Sequence, residues 1–248
     1  MNKVVAIIPV RLESSRLPEK ALKDICGLPM IVHTWQRASL SKLVSEVYVA
    51  TDSDIIKGLI ESYGGKVIMT SPSHKNGSER AAEAARSIEA ELIVNVQGDE
   101  ALVDPECIDA GVEGLRRSDA EVSLLMCNYN KRASPSDIKA VTNLKGEVLY
   151  LSRTDIPSDA RAEVAGLLKA YHVVTFRKDF LLIYADLASS PLECIEFNEY
   201  LRVLENGYKI QGVKVDSDAV SVDTEEDLKF VRQAMISDKY FPLYKPNS

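Results

Sequence analysis

Residues 4–20 read VVAIIPVRLESSRLPEK, an apolar β-branched run that passes directly into a loop carrying the cations Arg11, Arg16 and Lys20 and the hydroxyls Ser14 and Ser15. A continuous apolar run of this kind predicts a strand buried on both faces, hence a parallel sheet covered by helices. The loop predicts an anion site beyond the strand's carboxyl end. Guanidinium groups bridge phosphate oxygens through several planar donors, and a lysine adds a mobile point charge. For the charges alone a solvated basic loop is the alternative, and their position straight after the first strand tells against it. The loop contains no glycine before Gly27. That argues against a nicotinamide dinucleotide site, whose phosphates must approach the backbone closely.

Moving outward, the pattern repeats. Apolar runs at 47–50, 66–69 and 92–96 alternate with helix-like stretches at 29–38, 54–63 and 78–88, as βα units require. Polar segments follow the strands at Thr51-Asp52 and Gln97-Gly98-Asp99-Glu100, so a ligand is expected at the carboxyl ends. The second half predicts strands at 121–127, 138–141, 147–152 and 171–176, with a hairpin at Lys145-Gly146. A helix over 193–205, a strand over 209–215 and a last helix capped by Asp223 or Thr224 complete the reading. The expectation is one α/β domain over 1–248, with the nucleotide side in about 1–120 and the second substrate in about 121–223.

Two carboxylates have a double reading. Asp99, behind a strand-ending Gly98, suits magnesium, which takes one or two protein carboxylates and fills its shell with water and phosphate; aspartate is equally ordinary in a turn. Asp223 suits the same ion or the cap of the last helix. The formal charge of -7 and pI near 5.2 argue against nucleic-acid binding over a whole face. Four scattered cysteines without a C-x-x-C pair, no signal-like N-terminus and no membrane-length apolar run point to a reduced, cytoplasmic setting.

The ordered motifs PVRLESSRLPEK (9–20), ATD (50–52), NGSER (76–80), VQGDE (96–100), LYLSR (149–153) and VDTEEDL (222–228) closely resemble the 3-deoxy-manno-octulosonate cytidylyltransferase family over nearly the whole chain. The resemblance implies a Rossmann-like, glycosyltransferase-A-type α/β fold that forms a homodimer. It implies that CTP and an octulosonate sugar acid give a CMP-sugar and pyrophosphate for lipopolysaccharide synthesis, with Mg2+. It places Arg11, Arg16 and Lys20 on the triphosphate with Ser14 and Ser15 nearby, Asn76, Gly77 and Arg80 around the cytosine, and Gln97 between base and sugar. Asp99 and Asp223 match the metal ligands, and Lys139 matches a lysine near the reacting groups. His33 reads as a packed helix residue and His74 as a loop residue.

The sugar pocket departs from the family. Where Arg-His-x-Gly-Ile-Tyr is usual this chain has Lys169-Ala170-Tyr171-His172-Val173-Val174, and where Leu-Glu-Gln-Leu-Arg is usual it has Asn198-Glu199-Tyr200-Leu201-Arg202. Ala170, His172, Val174 and Tyr200 therefore point to a changed sugar tail, since buried polar groups left unpaired are costly. An 8-amino-3,8-dideoxy sugar fits, its ammonium meeting the Tyr200 ring or the carboxylates Glu196 and Glu199. The ordinary 8-hydroxyl sugar held by different residues is the alternative. A cytidylyltransferase for sialic-type acids and an inactive nucleotide-binding regulator are the remaining rivals.

Overall fold

The computed structural model describes residues 3–14, 16–217 and 220–245; Ser15 lies outside the described residues. Strand β1 (Val4–Pro9) is buried along its whole length. It is followed by a short pair, β2 (Asp24–Ile25) and β3 (Leu28–Pro29). Helix α1 (Met30–Ser39), β4 (Glu46–Thr51), α2 (Asp54–Ser62), β5 (Lys66–Met69), α3 (Gly77–Ala85) and β6 (Leu92–Val96) then form the expected βα units. β1 pairs in parallel with β4 and β6, and β4 with β5.

The second half extends the same sheet. It contains α4 (Pro105–Arg116), β7 (Val122–Tyr129), the hairpin β8 (Lys139–Thr142) and β9 (Val148–Ser152), and the long β10 (Leu167–Arg177). Helices α5 (Lys178–Asp186), α6 (Pro191–Glu196) and α7 (Leu201–Glu205), strand β11 (Ile210–Lys214) and helix α8 (Glu225–Ile236) follow. β10 enters antiparallel between β6 and β7, giving the order β11-β7-β10-β6-β1-β4-β5 in a nine-stranded sheet among the described residues.

Alternation along β1 divides the core into two layers. Val4, Ala6 and Ile8 pack with α1, α2 and α4 residues such as Ile31, Ile56 and Ile108. Val5 and Ile7 face Ala81, Ala82 and Ala85 of α3 and Phe180 and Tyr184 of α5. Small alanines let α3 lie close to the sheet, which brings its N-terminus to the ends of β1 and β6.

The elements depart from expectation in two places, and one open alternative is decided. Helices α4 and α5 were not expected; Asp104 caps α4, with Pro105 in its first turn. The helix expected over 193–205 is two short helices, because a Ser190–Glu193 capping box starts it early and Phe197, at φ 49°, breaks it. Thr224, not Asp223, caps α8 by accepting from the Asp227 amide. The carboxylate of Asp223 is thereby left for other partners.

Candidate active site

The carboxyl ends of β1 and β6, the N-terminus of α3 and the start of α8 surround one cleft. Arg11, Ser14, Arg16, Lys20, Asn76, Gly77, Arg80, Gln97, Asp99 and Asp223 all line it. The main chain explains how segments so distant in sequence meet. Val10 donates to the Ala50 carbonyl, Thr34 Oγ1 to the Gly98 carbonyl at 3.2 Å, and the Val222 amide to the Asp99 carbonyl at 3.2 Å. Ser221 donates to the buried Glu100 carboxylate beside it. Burial, with the Asp99 charge adding to it, pushes the Glu100 carboxyl above its ordinary pKa.

Asp99 and Asp223 converge on one ammonium. Lys20 Nζ lies 2.5 Å from Asp99 Oδ2 and 3.1 Å from Asp223 Oδ1, and Arg16 Nη2 lies 3.0 Å from the same Asp223 oxygen. Burial works to lower the Lys20 pKa, but the two carboxylates outweigh it and hold the pKa above its ordinary value. The second oxygen of Asp99, Oδ1, is buried without a hydrogen-bond partner. Among the described residues no cluster of three or more His, Cys, Asp or Glu side chains suits a metal. Two hard oxygen donors, one with an unused buried oxygen, fit magnesium, which completes its shell with phosphate and water.

One wall of the cleft is built on α3. Asn76 Oδ1 caps the helix by accepting from the Glu79 amide at 2.8 Å, while Glu79 accepts from the Lys75 amide at 2.9 Å. Arg80 is buried, its guanidinium held by Thr70 Oγ1 at 2.6 Å and Asp52 Oδ2 at 3.3 Å. A Cβ at Gly77 would stand 2.8 Å from Gln97 Nε2, so a side chain there would make that amide shift. His74 also lines the cleft, with Nε2 on Glu83. It is more than the loop residue expected, and its place two residues before Asn76 was the available signal.

A scan of family models matches residues 5–210 to "Cytidylyltransferase". A 3-deoxy-manno-octulosonate cytidylyltransferase of Geobacter metallireducens is 42% identical over 244 residues, covering 91% of this chain and 95% of the relative. One from Escherichia coli is 37% identical, covering 96% and 98%. The chain belongs to the 3-deoxy-manno-octulosonate cytidylyltransferase family. A solved CMP:2-keto-3-deoxy-manno-octonic acid synthetase complexed with CTP superposes with a TM-score of 0.90 at 37% identity, covering 94% of this chain and 98% of that one. A cytidylyltransferase from Leptospira borgpetersenii, at 16% identity and TM-score 0.64, shares the Rossmann-like nucleotidyltransferase fold. The chain is thus a CTP-dependent cytidylyltransferase.

The residues nominated for this cytidylyltransferase's second substrate do not join the cleft lining. Ala170 and Val174 are buried in the core beneath α3 and α5. Glu196 accepts from Ser152 Oγ at 2.7 Å and the Arg153 amide at 2.8 Å, so it secures the end of β9. Glu199 accepts from Ser78 Oγ at 2.5 Å, and the buried Tyr200 hydroxyl sits among Ser78, Gln97 and Glu199. Both therefore brace the α3 wall of the cleft. His172 is half-buried, its carbonyl accepting from the Gln97 amide at 3.3 Å. Burial lowers its pKa while Asp99 opposes that shift.

Lys139 does not line the cleft either. Its fully buried ammonium donates to the carbonyls of Ser134 at 2.7 Å, Asp137 at 2.9 Å and Arg153, with Asp155 at 3.7 Å. A lysine has three protons to donate, and these carbonyls use all three. It ties the 134–137 turn to the end of β9 rather than facing the cleft.

Proposed function

We propose that this enzyme transfers CMP from CTP to the anomeric hydroxyl of a 3-deoxy-octulosonate-type sugar acid, releasing pyrophosphate, as a step towards lipopolysaccharide. The observation that carries this reading is the convergence of Asp99 and Asp223, from segments distant in sequence, with Lys20 and Arg16 at the mouth of a strand-end cleft. The names of relatives 37–43% identical to the chain support the substrate class.

Both substrates are anionic, so repulsion is the main obstacle. Arg11 and Arg16 supply forked donors to the triphosphate and Lys20 a point charge, and all three line the cleft. Arg80, fixed by Asp52 and Thr70, and Asn76 and Gln97 orient the nucleoside. Magnesium held by Asp99 and Asp223 would supply charge neutralisation at the phosphates and acidify a coordinated hydroxyl. Catalysis then rests on alignment and preorganised charge.

Within the class we favour the 8-amino-3,8-dideoxy sugar. The motive is the sequence departure alone: Ala170 and Val174 carry no polar side chain at the positions where the family usually has histidine and tyrosine. The ordinary 8-hydroxyl sugar is the second reading, favoured by the relatives' names. Initial rates with each sugar at saturating CTP and magnesium separate the two. A several-fold higher kcat/KM for the amino sugar is expected; a clear preference for the 8-hydroxyl compound rejects the amino assignment and leaves the class intact.

A further inference from the structure

We propose that Lys20 makes divalent-cation capture conditional on the nucleotide: its ammonium holds Asp99 and Asp223 as a counterion and yields them when a triphosphate draws it away. This rests on the reading of the cleft as a CTP site with those two carboxylates as metal ligands.

The argument begins with charge balance. Lys20 Nζ contacts one oxygen of each carboxylate, and the Arg16 guanidinium contacts Asp223 as well. Two cations thus already neutralise two anions. A divalent ion arriving alone must enter beside a fixed ammonium, in a site where burial weakens solvent screening. Lys20 and Asp99 are 18% and 22% exposed at the side chain, against 59% for Arg16. Lys20 is therefore the competitor of consequence, and Arg16 the one that solvent can accommodate elsewhere.

The second element is mobility of the charge without mobility of its anchor. Lys20 opens a single 3-10 turn over Lys20–Leu22, and the Lys23 amide closes it on the Lys20 carbonyl at 3.1 Å. The main chain is pinned while the four-carbon stem can carry the ammonium elsewhere. Arg11, Ser14 and Arg16 line the same cleft and mark where phosphate would collect. A triphosphate there offers Lys20 an alternative anion. The third element is the unpartnered buried Oδ1 of Asp99. Lysine satisfies only one oxygen of that carboxylate, so the pair it forms leaves capacity that a multivalent cation uses and an ammonium at Oδ2 does not.

Reciprocity follows from linkage: if nucleotide raises metal affinity, metal raises nucleotide affinity by the same factor. Mn2+ is the probe, its free ion counted by electron paramagnetic resonance. Titrations use the full-length protein with and without CTP, no sugar acid being present, after subtraction of the Mn–CTP complex measured in its absence.

Wild type alone should bind Mn2+ weakly, and CTP should raise that affinity about tenfold or more, within the usual range of coupling between sites. Lys20→Met should bind Mn2+ about tenfold more tightly than wild type without nucleotide, and CTP should raise its affinity by a smaller factor than in wild type. Lys20→Arg, which keeps the charge, should stay weak. Adding Asp99→Asn to Lys20→Met should abolish the gain. Equal Mn2+ affinity in wild type and Lys20→Met, or coupling undiminished in Lys20→Met, overturns the proposal while CTP binding by wild type keeps the functional reading standing. A gain that survives Asp99→Asn overturns the proposal together with the metal assignment.

Discussion

Glu199 keeps a proton that an exposed glutamate would give up. Burial pushes its carboxyl up to about 7, against the hydrogen bonds from Ser78 and the charge of Arg202. A group whose folded pKa lies above its unfolded value binds its proton more tightly in the folded state. Its stabilising contribution is complete below about 4.5 and is lost as pH rises towards about 7. Glu199→Gln keeps an oxygen for the Ser78 hydroxyl and removes the titration. Urea midpoints of wild type and Glu199→Gln should therefore diverge between pH 5 and pH 8 (chosen to bracket about 7), with the variant gaining relative stability at the higher pH. Parallel pH profiles for the two proteins would remove the raised pKa. At this scale Lys20, Arg16, Asp99 and Asp223, expected at one site, do lie together in one cleft, since their segments sit at strand and helix ends where polar side chains have little packing to do. The surroundings of Lys139 were not legible in this way. A lysine on a short strand says nothing of the three carbonyls that enclose its ammonium, because these come from a turn and a neighbouring strand.

At the scale of elements, α6 and α7 grip the start of α3. Arg202 on α7 is 1% exposed; its Nη2 lies 2.5 Å from Glu193 Oε1 on α6 and 3.1 Å from Glu79 Oε1 on α3. Its guanidinium also stacks 4.7 Å from the Tyr184 ring centroid on α5. Glu79 in turn bonds the Lys75 amide, so this cation helps fix the loop that carries Asn76. Removing one partner of a buried ion pair leaves an uncompensated charge. Arg202→Met should cost about 3–5 kcal/mol of folding stability in urea unfolding. A loss below about 1 kcal/mol would show that the pair is solvated or replaceable. The pattern of apolar runs revealed the main strands and the helices α1, α2 and α3, which bury continuous apolar faces, but not α4 or α5. It merged α6 with α7, because the residue that separates them, Phe197 at φ 49°, is not one that favours the left-handed conformation. It could not show that β10 runs antiparallel between β6 and β7, since an apolar strand reads the same in either direction.

For the molecule as a whole, a chain of net charge -7 collects Arg11, Arg16, Lys20, Lys75 and Arg80 in one cleft. The acidic remainder keeps polyanions off the surface in general, and the cleft receives one by local charge. The sheet makes this possible by placing the ends of β1 and β6 side by side, while the chain's last helix returns to set Asp223 opposite Asp99. Among the described residues no helix is long and apolar enough to cross a membrane. The most direct test of this account is pyrophosphate release from CTP on addition of 3-deoxy-manno-octulosonate or its 8-amino form. The account predicts one pyrophosphate for each CMP-sugar formed, a rate abolished by chelating magnesium, and a fall of at least about 100-fold in Asp99→Asn, as for loss of a principal electrostatic contact. Release that persists at full rate under chelation or in Asp99→Asn, or no release with either sugar acid, would contradict it.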